Sequence, residues 1–203
     1  MRSSWAANHT NVRFVIGSNT TGEAPDVVSV AAPDGYSHLA VKLRDGYRWA
    51  TQHTNADWIL KVDDDCYVDV DQATAFFARK RPRWTVMAAG FERNGRPNKS
   101  GKYVDLKYPD AVYKPYPQGA GHAVSKDIAK WVARHSSLPF YPGEDTSLGS
   151  WVSVAPVSTA LVADSHFVPW NERPCSDKRA FVVSHNFSPL AMARCHRLRE
   201  KHR

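Results

Sequence analysis

The chain has 203 residues, 42% hydrophobic and 23% charged, a balance near the globular average that gives one domain spanning 1–203 enough apolar material for a sizeable core. No run approaches the roughly 18 apolar residues of a membrane helix, and Met1 to Trp5 lacks the apolar centre of a signal peptide, so the chain as it stands reads as soluble. Either it works in the cytosol or an anchor lies upstream. The net charge of +7 favours anionic partners, but much of the excess (Arg194, Arg197, Arg199, Lys201, Arg203) reads as a solvated helix end rather than a nucleic-acid surface.

Val12 to Ile16 followed by Gly17-Ser18-Asn19 predicts a strand that ends in a loop, the usual place for ligand contacts in an open α/β sheet. Val27 to Val30 is a second short strand. From Tyr36 the apolar positions Leu39, Ala40, Leu43, Tyr47 and Ala50 recur every three or four residues, which predicts an amphipathic helix to about His53. A strand at Trp58 to Val62, a helix from about Asp71 and a strand at Trp84 to Ala88 continue the alternation, and that order favours a largely parallel sheet. Residues 90–118 break the pattern with Gly95, Pro97, Gly101, Pro109, Pro115 and Pro117, while Tyr103, Tyr108, Tyr113 and Tyr116 supply aromatic faces; this reads as an excursion lining a site. Gly119-Ala120-Gly121 allows close backbone approach, and Ser125 reads as the cap of a helix carrying Ile128, Ala129, Trp131 and Val132. A further helix starts near Asp145. Strand-like pieces at Thr159 to Ala163 and Phe181 to Ser184 precede a basic terminal helix opened by Ser188-Pro189.

Three cysteines allow at most one disulfide, and none forms a Cys-x-x-Cys pair. Cys66 follows an acidic cluster on an apolar element and reads as a small buried residue; Cys175 and Cys195 could pair in an oxidising compartment. Sequons at Asn8, Asn19 and Asn98 fit a lumenal protein.

The cluster Asp63-Asp64-Asp65 is the most informative feature, because it sets carboxylates where an apolar strand meets a ligand crevice. Side chains alternate along an extended segment, so Asp63 and Asp65 can face one way and Asp64 the other. Two hard oxygen ligands on one point suit magnesium or manganese, whose shells are commonly completed by substrate phosphates and water, and a nucleoside diphosphate is then a natural partner. An acidic solvated turn or a weak calcium loop is the plainer reading of Asp-x-Asp by itself. A second acidic site, Gly143-Glu144-Asp145-Thr146-Ser147, feeds a helix; its carboxylates could cap that helix or face the crevice.

Together these motifs resemble the β-1,3-galactosyltransferase and Fringe-like family of inverting sugar-nucleotide transferases, over nearly the whole chain. Arg2-Ser3-Ser4-Trp5 is similar to the family's opening Arg-x-Ser/Thr-Trp, and Phe14-Val15-Ile16-Gly17 to its first nucleotide-proximal strand. Trp58 to Asp65 resembles its metal and nucleotide motif, Tyr116 to Ser125 its Tyr-Pro-x-x-x-Gly-x-x-x-Ser pattern, and Glu144 to Trp151 its acidic catalytic motif. The Glu-Asp-x-Ser-Leu-Gly form, with Cys175-Ser176 and Phe181 to His185, looks closest to the branch that adds galactose to the proteoglycan linker. Asp34 to Lys42 departs from the family's Asp-x-Tyr-x-Asn-Leu-Thr-x-Lys at His38 and Ala40, and His122 stands where an aromatic residue is common.

The resemblance implies an α/β GT-A fold, a Rossmann-like architecture with a mostly parallel central sheet flanked by helices. It implies transfer of galactose from UDP-galactose to a glycan or glycoprotein acceptor, with manganese, or magnesium, as cofactor and the Golgi lumen as compartment. UDP-N-acetylglucosamine as donor and a non-catalytic glycan-binding relative are the alternatives. By the same resemblance Asp145 is the catalytic base, and Asp65, Asp63 and His185 hold the metal. Arg2, Gly17, Lys42, Asp63, Asp64, Gly119, Gly121 and Glu144 line the nucleotide-sugar site. The dipole of the helix that starts there is expected to keep Asp145 a weak, ionised base.

Overall fold

The computed structural model describes residues 1–7, 9–118, 121–168, 179–183 and 187–201. In chain order the elements are β1 (Phe14–Ile16), β2 (Val27–Ser29), α1 (Leu39–His53), β3 (Trp58–Val62), β4 (Tyr67–Val68), α2 (Val70–Ala78), β5 (Thr85–Ala88) and β6 (Phe91–Glu92). There follow β7 (Tyr116–Pro117), β8 (Gly121–Ser125), α3 (Lys126–Arg134), α4 (Glu144–Ser153), β9 (Ala160–Ala163), β10 (Phe167–Val168), β11 (Val182–Val183) and α5 (Pro189–Glu200). A 3-10 turn, Tyr36–His38, leads into α1.

The helices form where the sequence supplies a stripe and an end. Ala40, Leu43 and Tyr47 are the buried positions of α1, at helical spacing, and Thr54 closes it with its backbone N–H and its hydroxyl both on the Ala50 carbonyl. Asp69 caps α2 by accepting from the Gln72 amide at 3.1 Å, so that helix starts slightly ahead of the expected Asp71. Ser188 caps α5 in the same way, accepting from Ala191, with Pro189 as first helical residue. Ser125 occupies the cap position of α3, but its hydroxyl accepts from the Thr85 amide of the neighbouring strand instead.

The main sheet has strand order β3-β8-β5-β9. The expectation of a mostly parallel sheet is corrected here: β8 runs antiparallel to both β3 and β5, and only β5 and β9 pair in parallel. The physical reason is the connection. Parallel neighbours need a crossover, usually a helix, and residues 89–120 carry only the short β6–β7 pair and glycine- and proline-rich turns among their described residues. β1 and β2 form a separate parallel pair, and β10-β11-β4 a small mixed sheet.

β8, buried at every position, sits between two apolar layers. Val86 and Val124 pack with Tyr47 of α1, Ile128 and Val132 of α3, and Leu148 and Trp151 of α4. Met87 and Ala123 pack with Ala73, Phe167, Phe181 and Val182 on the other face. Successive residues of one strand thus feed opposite layers. Trp151 is fully buried and donates from its indole to the Pro139 carbonyl at 2.6 Å, so it belongs to the core. Burying a side chain of this size contributes about 3 kcal/mol.

The N-terminal segment is pinned just beyond the acidic cluster: Trp5 is buried and its indole donates to the Cys66 carbonyl at 2.8 Å. Cys66 is a buried thiol, as expected; Cys195 is disulfide-bonded, and Cys175 lies outside the described residues. Arg199 does not belong to a solvated helix end. It is buried, donates to the Ala180 carbonyl at 2.9 Å and pairs with Asp69 at 3.6 Å.

Candidate active site

The end of β3 and the start of α4 are joined by one lysine. Lys61 lies two residues before Asp63, hence on the same face of the strand, and its ammonium donates to Asp63 Oδ1 at 2.5 Å and to Glu144 Oε1 at 2.6 Å. Burial works to deprotonate Lys61, but Glu144 and Asp63 outweigh it and hold the ammonium charged. Burial likewise works to raise Glu144, and the lysine pulls it below its ordinary value. Asp63 ends up raised: burial pushes it upward and Lys61 offsets only part of the effect. Directly across the β3–β8 ladder from Lys61 stands His122, buried, with Nε2 2.8 Å from the Tyr47 hydroxyl of α1. Burial first and the Lys61 charge second push His122 down to about 3, so it stays a neutral imidazole beneath the charged group.

Asp145 is the next residue of α4 and is half-buried. Its Oδ1 accepts from the Thr146 amide at 2.7 Å, while the cap position is Gly143 and has no side chain to offer. The carboxyl is pushed up to about 6, by burial and then by the adjacent Glu144, against the pull of the Thr146 amide and Lys61. The expected weak base is therefore corrected: helix-end stabilisation is the smaller effect here, and loss of water with a neighbouring negative charge makes Asp145 a stronger base that still ionises near neutrality.

Asp63, Asp65 and Cys66 place one ligand atom each within 4.8 Å of one another. Burial, then Asp63 and Asp65, raise the Cys66 thiol, so it stays protonated and donates weakly towards Asp65 Oδ1 at 3.8 Å. The donor set is therefore two carboxylates, which fits a hard divalent cation. Asp64 is exposed between them, but not through the expected alternation: β3 ends at Val62, and Asp64 and Asp65 lie in a turn closed by the Cys66 amide on the Asp63 carbonyl at 3.3 Å. His185, expected as a further metal ligand, and Gly119 lie outside the described residues.

Gly17 and Lys42 meet through a residue that sequence reasoning did not place in the site. Asp34 accepts from the Gly17 amide at 2.9 Å, the Thr20 hydroxyl at 2.5 Å and the Lys42 ammonium at 2.5 Å. Lys42 above all, then Thr20 and Gly17, hold Asp34 down at about 2. The approach is so close that a Cβ on Gly17 would lie 2.3 Å from the Asp34 nitrogen, which only glycine permits. Gly121 opens β8 opposite Val62, where a Cβ would press at 3.1 Å on the Lys61 carbonyl. Arg2 is not brought to this group. It forms two 2.8 Å hydrogen bonds to Asp26 and lies 4.7 Å over Phe14, where β1 and β2 begin.

Lys61, Asp34 and the Tyr47–His122 pair are thus the polar residues the sequence left unassigned. A charged residue inside an apolar strand, in phase with Asp63, was the available signal for Lys61. The galactosyltransferase family model matches residues 1–161. The chain belongs to the galactosyltransferase family. Among galactosyltransferase relatives, the human UDP-GalNAc:beta-1,3-N-acetylgalactosaminyltransferase 2 is 32% identical over 178 residues, covering 87% of this chain and 34% of that protein. Hydroxyproline O-galactosyltransferase GALT2 of Arabidopsis thaliana is 27% identical over 172 residues, 82% of this chain and 25% of that protein. Mouse beta-1,3-galactosyltransferase 6 is 26% identical over 167 residues, 80% of this chain and 50% of that protein. The chain spans about a third of the length of the human relative.

Proposed function

We propose that this chain is one catalytic domain of GT-A type that transfers a galactose-configured sugar, galactose or N-acetylgalactosamine, from its UDP donor to a hydroxyl of a glycan or glycoprotein, with inversion to a β-1,3 linkage. The relatives' names support the sugar class and linkage, since both printed sugars share the galacto arrangement of hydroxyls. The observation that carries the reading is the half-buried Asp145 carboxyl, raised to about 6, one residue from Glu144, which Lys61 ties to Asp63.

Asp145 accepts the proton of the acceptor hydroxyl as that oxygen bonds to the anomeric carbon; the bond from that carbon to the diphosphate oxygen breaks, and UDP departs from the opposite face. Asp63 and Asp65 would hold manganese or magnesium, which supplies charge neutralisation for the departing diphosphate when bound. Lys61 keeps Asp63 and Glu144 in place. Gly17, Lys42, Asp64, Gly121 and Glu144 border the donor site, and Arg2 supports β1 beside it. The disulfide at Cys195 suits an oxidising lumen such as the Golgi. No helix of the described residues is long and apolar enough to cross a membrane.

The test is UDP release from a panel of UDP-sugars, with and without manganese and with β-galactoside, β-N-acetylglucosaminide and β-xyloside acceptors. Manganese-dependent, acceptor-stimulated release from UDP-galactose or UDP-N-acetylgalactosamine is expected. Release from UDP-N-acetylglucosamine alone would shift the donor, and no release from any donor would overturn the reading.

A further inference from the structure

The tyrosines of the 90–118 excursion do not share one role. Tyr108 is buried, with its hydroxyl accepting from the Lys114 amide, and its ring lies 4.5 Å from those of Tyr113 and Tyr141. Tyr113 donates to Asp105, itself buried, which also accepts from the Lys107 and Tyr108 amides at 3.1 Å each. Tyr116 packs on α4, so closely that a Cβ on Gly149 would lie 2.8 Å from its Cβ. These three and Asp105 make a rigid frame.

Tyr103 is different. Gly101, at a φ of 82°, opens a turn closed by the Val104 amide on the Gly101 carbonyl, and this turn presents Tyr103 to solvent with 53% of its surface exposed. The turn is fixed to the frame through the Asn98–Val104 bridge and the Asp105 amide on the Asn98 carbonyl. The ring meets Tyr36, 38% exposed, edge to face at 5.3 Å, at the start of the turn that leads into α1. The Lys102 ammonium lies 5.2 Å from the centre of the Tyr103 ring. Two segments more than sixty positions apart in sequence thus hold an aromatic corner open beside a hydrogen-bond donor.

An exposed aromatic corner held on a rigid frame is a contact surface rather than a core. Its flat faces match the apolar C–H side of a pyranose ring, and the ammonium matches its hydroxyls. Its place relative to the acids decides which sugar. The frame that carries the corner rests on the first turn of α4: Tyr108 lies 4.5 Å from Tyr141, whose backbone N–H and carbonyl both bond the Ser147 hydroxyl, and the Ser147 amide donates to the Gly143 carbonyl just ahead of Asp145. The nearness shows in the phenol of Tyr36, which burial and then Asp145 push upward. The corner therefore stands on the Asp145 side of the site, where the incoming hydroxyl must lie if Asp145 takes its proton.

We infer that Tyr36 and Tyr103 form the platform on which the acceptor's sugar ring stacks, with Lys102 bonding its hydroxyls, so that this pair sets acceptor affinity and leaves the donor untouched. The inference rests on Asp145 as the base. Its test pairs kinetics with binding. Tyr36→Ala, Tyr103→Ala and the double variant, each checked for unchanged thermal unfolding, are compared with Tyr103→Phe. The expected result is an acceptor KM raised about tenfold by each alanine, a UDP-sugar KM within twofold of wild type, and near-normal behaviour of Tyr103→Phe. In parallel, ligand-observed NMR with methyl β-galactoside and methyl β-N-acetylglucosaminide is run on protein holding UDP and manganese; wild type should contact a glycoside and the double variant should not.

An acceptor KM unchanged in the double variant overturns the platform, as does a change confined to the donor KM. A wild type that binds a glycoside through these tyrosines yet transfers nothing separates the two ideas: the platform stands and the transfer reading falls. A wild type that neither binds glycosides nor transfers sugar overturns both.

Discussion

Two lysine–aspartate pairs in this molecule have the same length and opposite outcomes. Lys42 and Lys61 each sit 2.5 Å from a carboxylate oxygen, of Asp34 and Asp63 respectively. Asp34 is pulled down to about 2, whereas Asp63 is raised. The distance of the pair does not separate them; loss of water around Asp63 does so first, and then the number of carboxylates each ammonium must satisfy. Asp34 has its lysine to itself, plus the Thr20 hydroxyl and the Gly17 amide. Asp63 shares its lysine with Glu144 and has Asp65 nearby, and it loses more water to its surroundings even though its carboxylate is about as exposed as that of Asp34. The first is a balanced joint that holds a loop. The second carries surplus negative charge, which is what a cation or a transferable proton requires.

The sharpest way to break this contrast is Asp145→Asn. If the surplus serves proton transfer, turnover should fall by about 10²–10⁴-fold, since general-base catalysis is worth that much. The same change should stabilise the fold. The folded carboxyl sits at about 6 against 3.8 in the unfolded chain, so it favours folding at low pH, and that contribution is lost as pH rises through about 6. A neutral asparagine avoids the loss and should add about 1–3 kcal/mol at pH 8. Wild-type turnover should climb with pH across the same window. Slower turnover without added stability, measured by denaturant unfolding across pH, would place the strain elsewhere.

Lys61→Met comes next. Leaving Asp63 and Glu144 without their shared ammonium should cost about 3 kcal/mol of stability, as for other buried pairs deprived of one partner, and manganese should restore part of it. Lys42→Met should cost least, about 1 kcal/mol, because Asp34 keeps its Gly17 and Thr20 donors and no second carboxylate loses its cation. Equal losses for the two lysines in urea titrations would erase the distinction between joint and charged centre.

Much of this architecture is legible in the sequence because local pattern and tertiary need agree. The spacing of Ala40, Leu43 and Tyr47 gives α1, the apolar run gives β3, and Ser188-Pro189 gives the start of α5. The acidic cluster and the second acidic turn were visible as candidate ligands and bases, and the structure joins them through Lys61. What stayed hidden depends on partners distant in sequence. β8 is not legible: Gly119-Ala120-Gly121 suggests only close backbone approach ahead of a capped helix, since Gly121 to Ser125 has no alternation when both faces are buried. Lys61 looked like an ordinary strand residue until Glu144 came from 83 positions away. The raised Asp145 reflects water lost to packing, which no local motif encodes.

The reversed direction of β8 has a consequence for how new specificity could arise. β5 leaves the main sheet and β8 re-enters it at the same edge, where β3 also ends, since Ala88 and Val62 pair with His122 and Gly121. The intervening stretch never has to cross the layer, as a parallel connection would. Its tip at Tyr103 can change while every strand of the main sheet keeps its register, so this loop can vary without disturbing the strands that hold Lys61 and Asp63.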